Sequence, residues 1–272
     1  MHALVHPWTL GFMQRALLEL LFVGVAGGVL GCWIVLYRLS YSAESLAHAL
    51  FPGLVVAALL GFPLVVGGAI GVGAAAAAIA LAARAPGIER DTAVAIVITS
   101  LFGLGVLVAL APSSPPGVES LLFGDLLGVS ASDLATAGAL AVAVVFGAAF
   151  LHRQLLSVGF DRRSAAALGA RPLLADLALL ALIAVATLIA VRGLGNLLVV
   201  AVLVGPAATA RLLARRLPSM MALAVGVAAV CSVGGLYLSY YARTAGGASV
   251  AGVMVVAYLA ARFARRAPFV SP

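Results

Sequence analysis

The chain has 272 residues, of which 64% are hydrophobic and only 9% charged, and its formal net charge is +7. That balance excludes a soluble domain with a large core and identifies an integral membrane protein. The positive charge does not point to nucleic acid. All 16 basic residues are arginines, and they stand at the ends of apolar runs instead of clustering on one aqueous face. Cys32 and Cys231, the only cysteines, both fall inside apolar runs, which argues against a disulfide framework or a thiol-rich metal site. The opening stretch MHALVHPWTLGFMQRALL lacks a basic leader followed by a small-residue cleavage site and reads as a short interfacial segment.

A membrane-spanning helix needs ~20 mostly apolar residues. The chain supplies eight to nine such runs with short connections, an all-α polytopic membrane protein forming a single transmembrane domain over residues 1–272. The first span is expected over residues 16–36, where Gly24, Gly27, Gly28 and Gly31 allow another helix to approach closely. The second runs from about residue 39 to Gly61, and the short turn Gly61-Phe62-Pro63 makes it an antiparallel neighbour of the third, residues 64–83. The alanine run 74–78 in that third span suits close packing. A charged loop with Arg84, Glu89, Arg90 and Asp91 leads to the fourth span, residues 92–111, with Asp91 or Thr92 as its N-cap.

The stretch 112–133 is rich in proline, carries Glu119, Asp125 and Asp133, and has no basic residue. Its apolar piece 119–129 is too short to span, so a re-entrant or interfacial turn is expected. Ser132 or Asp133 is expected to cap the fifth span, residues 134–151. The polar connection 152–172 reads as a surface helix, with Asp161 as N-cap, an apolar face of Ala165, Ala166 and Leu168, Gly169 as C-cap and Pro172 as stop. Spans six (173–191) and seven (197–213) meet at the turn 192–196, and Pro206 should kink the seventh. Spans over 220–241 and 249–263 complete the chain.

The second span carries the chemistry. Glu44 and His48 are four apart and share one helical face, and Pro52, four further on, cannot donate to the carbonyl of His48. Ionisable groups inside a bilayer are costly and usually mark substrate or ion pathways. The alternative is a headgroup-level Glu44 and a His48 that makes one interhelical hydrogen bond. Arginine counts orient the chain. With the C-terminus in the cytoplasm and nine spans, thirteen arginines lie inside and only Arg15, Arg192 and Arg243 outside.

Eight stretches, in order, resemble the zinc/manganese/iron permease family of ATP-binding-cassette importers. They are FMQRAL (12–17), GVLGCWIVLYRLS (28–40), ESLAHALFPGLVVAALLG (44–61), TAVAIVITSLFGLGVLV (92–108), LLFGDLLGVSASDL (121–134), FDRRSAAALG (160–169), GNLLVVAVLVGPAATARLL (195–213) and GLYLSYY (235–241). The family usually has Asp-x-x-Ser-His or Asp-x-x-x-His in span two; here the carboxylate is Glu44. The resemblance implies a permease subunit in a bacterial or archaeal cell membrane, working as a homo- or heterodimer. Its expected partners are two cytoplasmic ATP-binding-cassette ATPases and an extracytoplasmic metal-binding protein. No permanently bound cofactor is expected, only the transported zinc, manganese or iron ion. The chain has no G-x-x-x-x-G-K-[ST] loop, so ATP hydrolysis is expected on a separate polypeptide. Segment 153–172 is the expected ATPase-coupling element, with Asp161, Arg162, Arg163 and Gly169 as its key residues.

A nitrogen plus a carboxylate suits Zn(II), Mn(II) and Fe(II) better than Ca(II) or Mg(II), which prefer oxygen shells. One Glu44 and one His48 cannot complete a four-coordinate shell, but two copies meeting at span two would supply four donors. His48 must be neutral to ligate, so binding should weaken in acid. His2, His6 and His152 lie at the external tail or a span end and are not expected in the path. A permease for a chelate such as a siderophore or corrinoid would need a wider apolar lining and no such pair. An intramembrane zinc protease is disfavoured because Glu44-x-x-x-His48 is not H-E-x-x-H. A passive channel would need no ATPase partner.

Overall fold

The computed structural model describes residues 6–84, 90–112, 114–115, 117–118, 120–167 and 169–266. Among these residues the chain forms eleven α-helices and a 3₁₀ turn (His6–Thr9), with no strand. The helices are α1 (Gly11–Tyr37), α2 (Ser40–Leu60), α3 (Leu64–Ala82), α4 (Arg90–Ala109), α5 (Ser120–Phe123), α6 (Ala131–Phe160), α7 (Arg162–Ala167), α8 (Pro172–Leu194), α9 (Val199–Leu213), α10 (Leu217–Ala242) and α11 (Gly246–Arg266). Among the described residues eight helices are long and apolar enough to cross a membrane; α9 is apolar but shorter. At ~1.5 Å per residue α9 is about 22 Å long, less than the ~30 Å hydrocarbon core.

Helix α1 is the hub, packed against α6, α9 and α10. Lipid tails are as apolar as leucine, so helices associate in a bilayer by close contact and not by escape from water. The glycines of α1 provide that contact in two stripes. A side chain at Gly24 would meet the Cβ of Ala228 at 3.1 Å, and one at Gly28 the backbone nitrogen of Val225 at 2.9 Å, both on α10. Gly27 and Gly31 face α9, where a Cβ on Gly31 would collide with the carbonyl oxygen of Leu203.

Helices α2 and α3 are antiparallel neighbours joined through Gly61, whose φ of +73° is a left-handed C-cap. Their backbones touch: a Cβ on Gly53 would collide with the carbonyl of Gly67, and one on Gly71 would sit 2.7 Å from the carbonyl oxygen of Ala49. Of the alanine run 74–78 only Ala75 is buried, against Ala49 and Ile98. Helix α1 passes into α2 through Arg38 and Leu39 alone; Arg38 takes φ 58° and Leu39 N–H closes onto the carbonyl of Ile34.

Three local expectations need correction. The connection after span five does not begin at residue 152: α6 continues unbroken to Phe160, so residues 152–160 are its last turns. Its cap is Ser130 instead of Ser132 or Asp133. The Ser130 hydroxyl accepts from Asp133 N–H at 3.1 Å and Asp133 accepts the Ser130 N–H in return, a reciprocal capping box. Helix α4 starts at Arg90, two residues before the expected Thr92. Glu89 lies outside the described residues. The expected re-entrant or interfacial piece takes the form of the short helix α5, whose Leu121 and Leu122 are buried.

The glycine stripe of α1 is testable. Gly31→Ala should lower the thermal stability of the detergent-purified protein by about 1–3 kcal/mol, the usual cost of overpacking. Gly73→Ala, where a Cβ meets nothing within 4 Å and alanine is the better helix former, should leave the melting temperature unchanged or raise it slightly.

Candidate metal path

Glu44 and His48 lie one turn apart on α2, and His48 Nε2 is 3.9 Å from Glu44 Oε1. That separation lies within the reach of one cation making two bonds of ~2.0–2.2 Å. The Glu44 side chain is 56% exposed and that of His48 24%, so the face bearing the pair is open on one side in the single chain. On the other sides the imidazole is held. Phe102 of α4 lies against the ring with centroids 4.3 Å apart and also meets Phe51, building an aromatic wall.

The third neighbour comes from the turn between α8 and α9. Asn196 Nδ2 is 3.3 Å from His48 Nδ1. Asn196 is 1% exposed, and its Oδ1 has no hydrogen-bond partner. Its backbone is pinned by α5: Asn196 N–H donates to the carbonyl of Leu121 at 2.8 Å, and Leu197 N–H to that of Leu122 at 3.3 Å. Gly195 permits this approach. Its φ is +73°, and a Cβ there would collide with the α5 backbone at Leu122 and Gly124.

Pro52 sits inside α2 without ending it and leaves the His48 carbonyl without a helical donor. Pro206 does the same to the Val202 carbonyl within α9. Among the described residues no cluster of three or more His, Cys, Asp or Glu side chains forms a metal cage. Two donors leave the rest of a coordination shell to water, backbone carbonyls or a second chain, an arrangement that can both take up and release an ion.

The other histidines are engaged elsewhere. His6 contacts the Tyr240 hydroxyl at 3.1 Å, next to the Trp8–Tyr237 hydrogen bond that docks the 3₁₀ turn on α10. His152 lies edge-on to Trp33, with centroids 5.4 Å apart. His2 lies outside the described residues.

Where α6 ends, Asp161 separates it from α7 and accepts the Ser164 hydroxyl. Arg162 pairs with Asp176 of α8, so its charge ties α7 to the helix bundle. Gly169 takes φ +87°, and Ala170 N–H closes onto the carbonyl of Ala165 at 2.9 Å, the left-handed C-cap expected there. Leu168 and the side chain of Arg163 lie outside the described residues.

Sequence reasoning passed over three polar groups, of which Asn196 and Glu19 are buried and Asp176 is half-buried. Asn196 carried one signal, a lone amide opening an otherwise apolar run. Asp176 is an isolated acid in α8. Glu19, 2% exposed in α1, lies against Gly193, where a Cβ would sit 2.6 Å from its Oε1.

A bundle of apolar helices, eight of them long enough to cross a membrane and one of these carrying a carboxylate–imidazole pair, is the architecture of a multi-pass membrane permease. Residues 9–265 match the ABC 3 transport family, and the chain belongs to it. The manganese transport system membrane protein MntC of Listeria innocua is 33% identical over 92% of this chain and 90% of its own length. The manganese import system permease protein ScaB of Streptococcus parasanguinis is 31% identical over 93% of this chain and 90% of its own. The solved structure of PsaBC from Streptococcus pneumoniae superposes with a TM-score of 0.89 at 29% identity, covering 96% of this chain and 95% of that one.

Proposed function

We propose that the chain is the membrane-spanning permease subunit of an ATP-driven importer of a divalent transition metal ion, with manganese or iron favoured and zinc allowed by the same ligands. One observation carries the reading: Glu44 and His48 face each other at 3.9 Å within an otherwise apolar second span. The family supports it, as do the manganese permeases to which the chain is similar along nearly its whole length. The mixed nitrogen–oxygen pair suits borderline cations. It is also too sparse to hold an ion permanently. A chelate permease finds no support in a path that carries its own carboxylate and imidazole.

The remaining parts belong to the same reading. The open side of the Glu44–His48 face suits a second permease copy, homo- or heterodimeric, that would complete the shell. An extracytoplasmic metal-binding protein would deliver the ion. Helix α7, bounded by Asp161 and Gly169 and tied to α8 by Arg162, is the surface offered to a cytoplasmic ATP-binding-cassette ATPase, and Pro52 and Pro206 are the points where α2 and α9 can flex. With α7 in the cytoplasm, the acidic stretch 112–133 faces outside.

Three experiments test these assignments. Glu44→Gln and His48→Leu should each cut uptake of radiolabelled Mn(II) and Zn(II) at least about tenfold at equal membrane abundance, in line with the cost of disturbing a ligand shell. Glu44→Asp, which keeps the charge, should be milder. Wild-type uptake in His48→Leu would overturn the metal path and show His48 to be a packing residue, whose removal a buried site tolerates.

Orientation is read by single-cysteine labelling, since the native Cys32 and Cys231 are buried. Ser114→Cys should react with an impermeant reagent only from outside the cell and Ser164→Cys only from the cytoplasmic side; labelling of both from one side would reverse or break the topology.

The coupling role is read at Gly169. A Cβ there meets open space, so Gly169→Val strains only the left-handed backbone, by about 1–2 kcal/mol or somewhat more for a β-branched residue. The variant should reach the membrane in normal amount yet stimulate its ATPase poorly; normal transport would remove the coupling assignment.

A further inference from the structure

His48 offers two nitrogens, and each has a different neighbour. Nε2 faces Glu44 at 3.9 Å and Nδ1 faces the amide nitrogen of Asn196 at 3.3 Å. A neutral imidazole carries one proton, and the hydrogen bond at one nitrogen decides which nitrogen holds it. With Asn196 Nδ2 donating to Nδ1, the ring proton sits on Nε2 and is directed at the Glu44 carboxylate. That suits an empty path, because Nδ1 then accepts from the amide at 3.3 Å and the Nε2 proton lies on the side of the Glu44 carboxylate, 3.9 Å away and beyond hydrogen-bond length. It does not suit a loaded one, because Nε2 has no lone pair for a cation shared with Glu44.

A half-turn of the Asn196 amide reverses this. Oδ1, buried and without a partner, would then accept from Nδ1–H and leave Nε2 bare. We propose that Asn196 is the positioning residue of the cation path: its amide donates to His48 when the path is empty and accepts when it is loaded, setting which nitrogen the cation meets. The inference rests on the Glu44–His48 pair being the path. The ring keeps a single proton in both states: while the amide turns, Nδ1 takes a proton from water and Nε2 releases one to water on the open side, so the net charge is unchanged. A carboxylate only accepts and an alkyl group does neither. Asn196 differs from both in being able to reverse, and its backbone is fixed to α5 while its side chain turns.

The test uses the full-length permease, purified in detergent, with Mn(II) binding read by loss of the free-ion electron paramagnetic resonance signal and uptake read in cells. Asn196→Leu should weaken binding by about 10–100-fold at normal abundance, the usual effect of losing the group that orients a ligating histidine. Asn196→Asp should retain binding yet lose uptake, because it cannot donate in the empty state. Asn196→Ser is neutral and small, guards against misfolding of the buried Asp variant, and has a hydroxyl that plays both parts; it should bind more tightly than Asn196→Leu.

Equal affinity in the Ser and Leu variants, or wild-type affinity in Asn196→Leu, would overturn the proposal. His48→Leu, measured in parallel, separates the two levels. If it loses Mn(II) binding while Asn196→Leu does not, only the role of Asn196 falls. If it binds as wild type, the path itself falls.

Discussion

The structure depends on how one interruption of helical backbone is satisfied. Inside a bilayer an unpaired N–H or carbonyl costs several kcal/mol, so irregular backbone survives only where protein covers it. The turn joining α8 and α9 is such an interruption, and α5 covers it. The carbonyls of Leu121 and Leu122 take the N–H groups of Asn196 and Leu197, and Gly124 and Gly195 bring the two backbones together with no room for a side chain on either. The short α5 thus covers the turn that leads into α9, a helix too short to cross the hydrocarbon core by itself. The same turn brings a polar side chain next to His48, where a continuous helix would have offered only an apolar flank.

Around that turn, burial is uneven. Helix α1 is clamped by two glycine stripes and is 61% buried over its most apolar window, whereas α3, α4 and α6 reach only 22%. A permease that must move needs both kinds of helix. Interdigitated backbones at α1, α9 and α10 move together or not at all, while α3 and α4 keep broad outer faces for lipid or for a second copy. Helix α2 lies between these regimes, glued to α3 at Gly53 and Gly67 yet presenting Glu44 outward. The candidate ligands therefore sit on the border between a rigid core and a looser flank, where a small change in neighbour alters their exposure.

Much of this was legible in the chain itself. Small-residue spacing in the first span marked a tight interface because bilayer packing rewards close approach, and both stripes are occupied. The left-handed cap at Gly169 and the non-spanning nature of 119–129 followed from local chemistry, so they too were readable. Boundaries were less so. Residues 152–160 are polar enough to suggest a loop, but a helix that leaves the membrane stays helical when its own hydrogen bonds are complete, and α6 extends through them. The Asn196–His48 contact was not readable at all. It joins residues 148 apart in sequence, and no periodicity within either segment encodes it.

One helix carries contacts to both ends of the proposed cycle. Near its N-terminus α8 holds Asp176, paired with Arg162 of α7; just past its C-terminus stands Asn196, against His48. A helix of 23 residues is about 34 Å of rigid rod, so a displacement at Asp176 is not absorbed along the way. It must appear as strain where the rod ends. There the backbone of Asn196 is held by α5 while its side chain reaches toward α2, and the 3.3 Å amide contact is the softer of the two attachments. It is one weak hydrogen bond, whereas α5 engages the turn through two backbone bonds and interlocked glycines. A shift of α8 would therefore change the partnership of His48 before it dislodged the α5 cap, and the proposed ligand pair would respond to α7 while the turn stays covered.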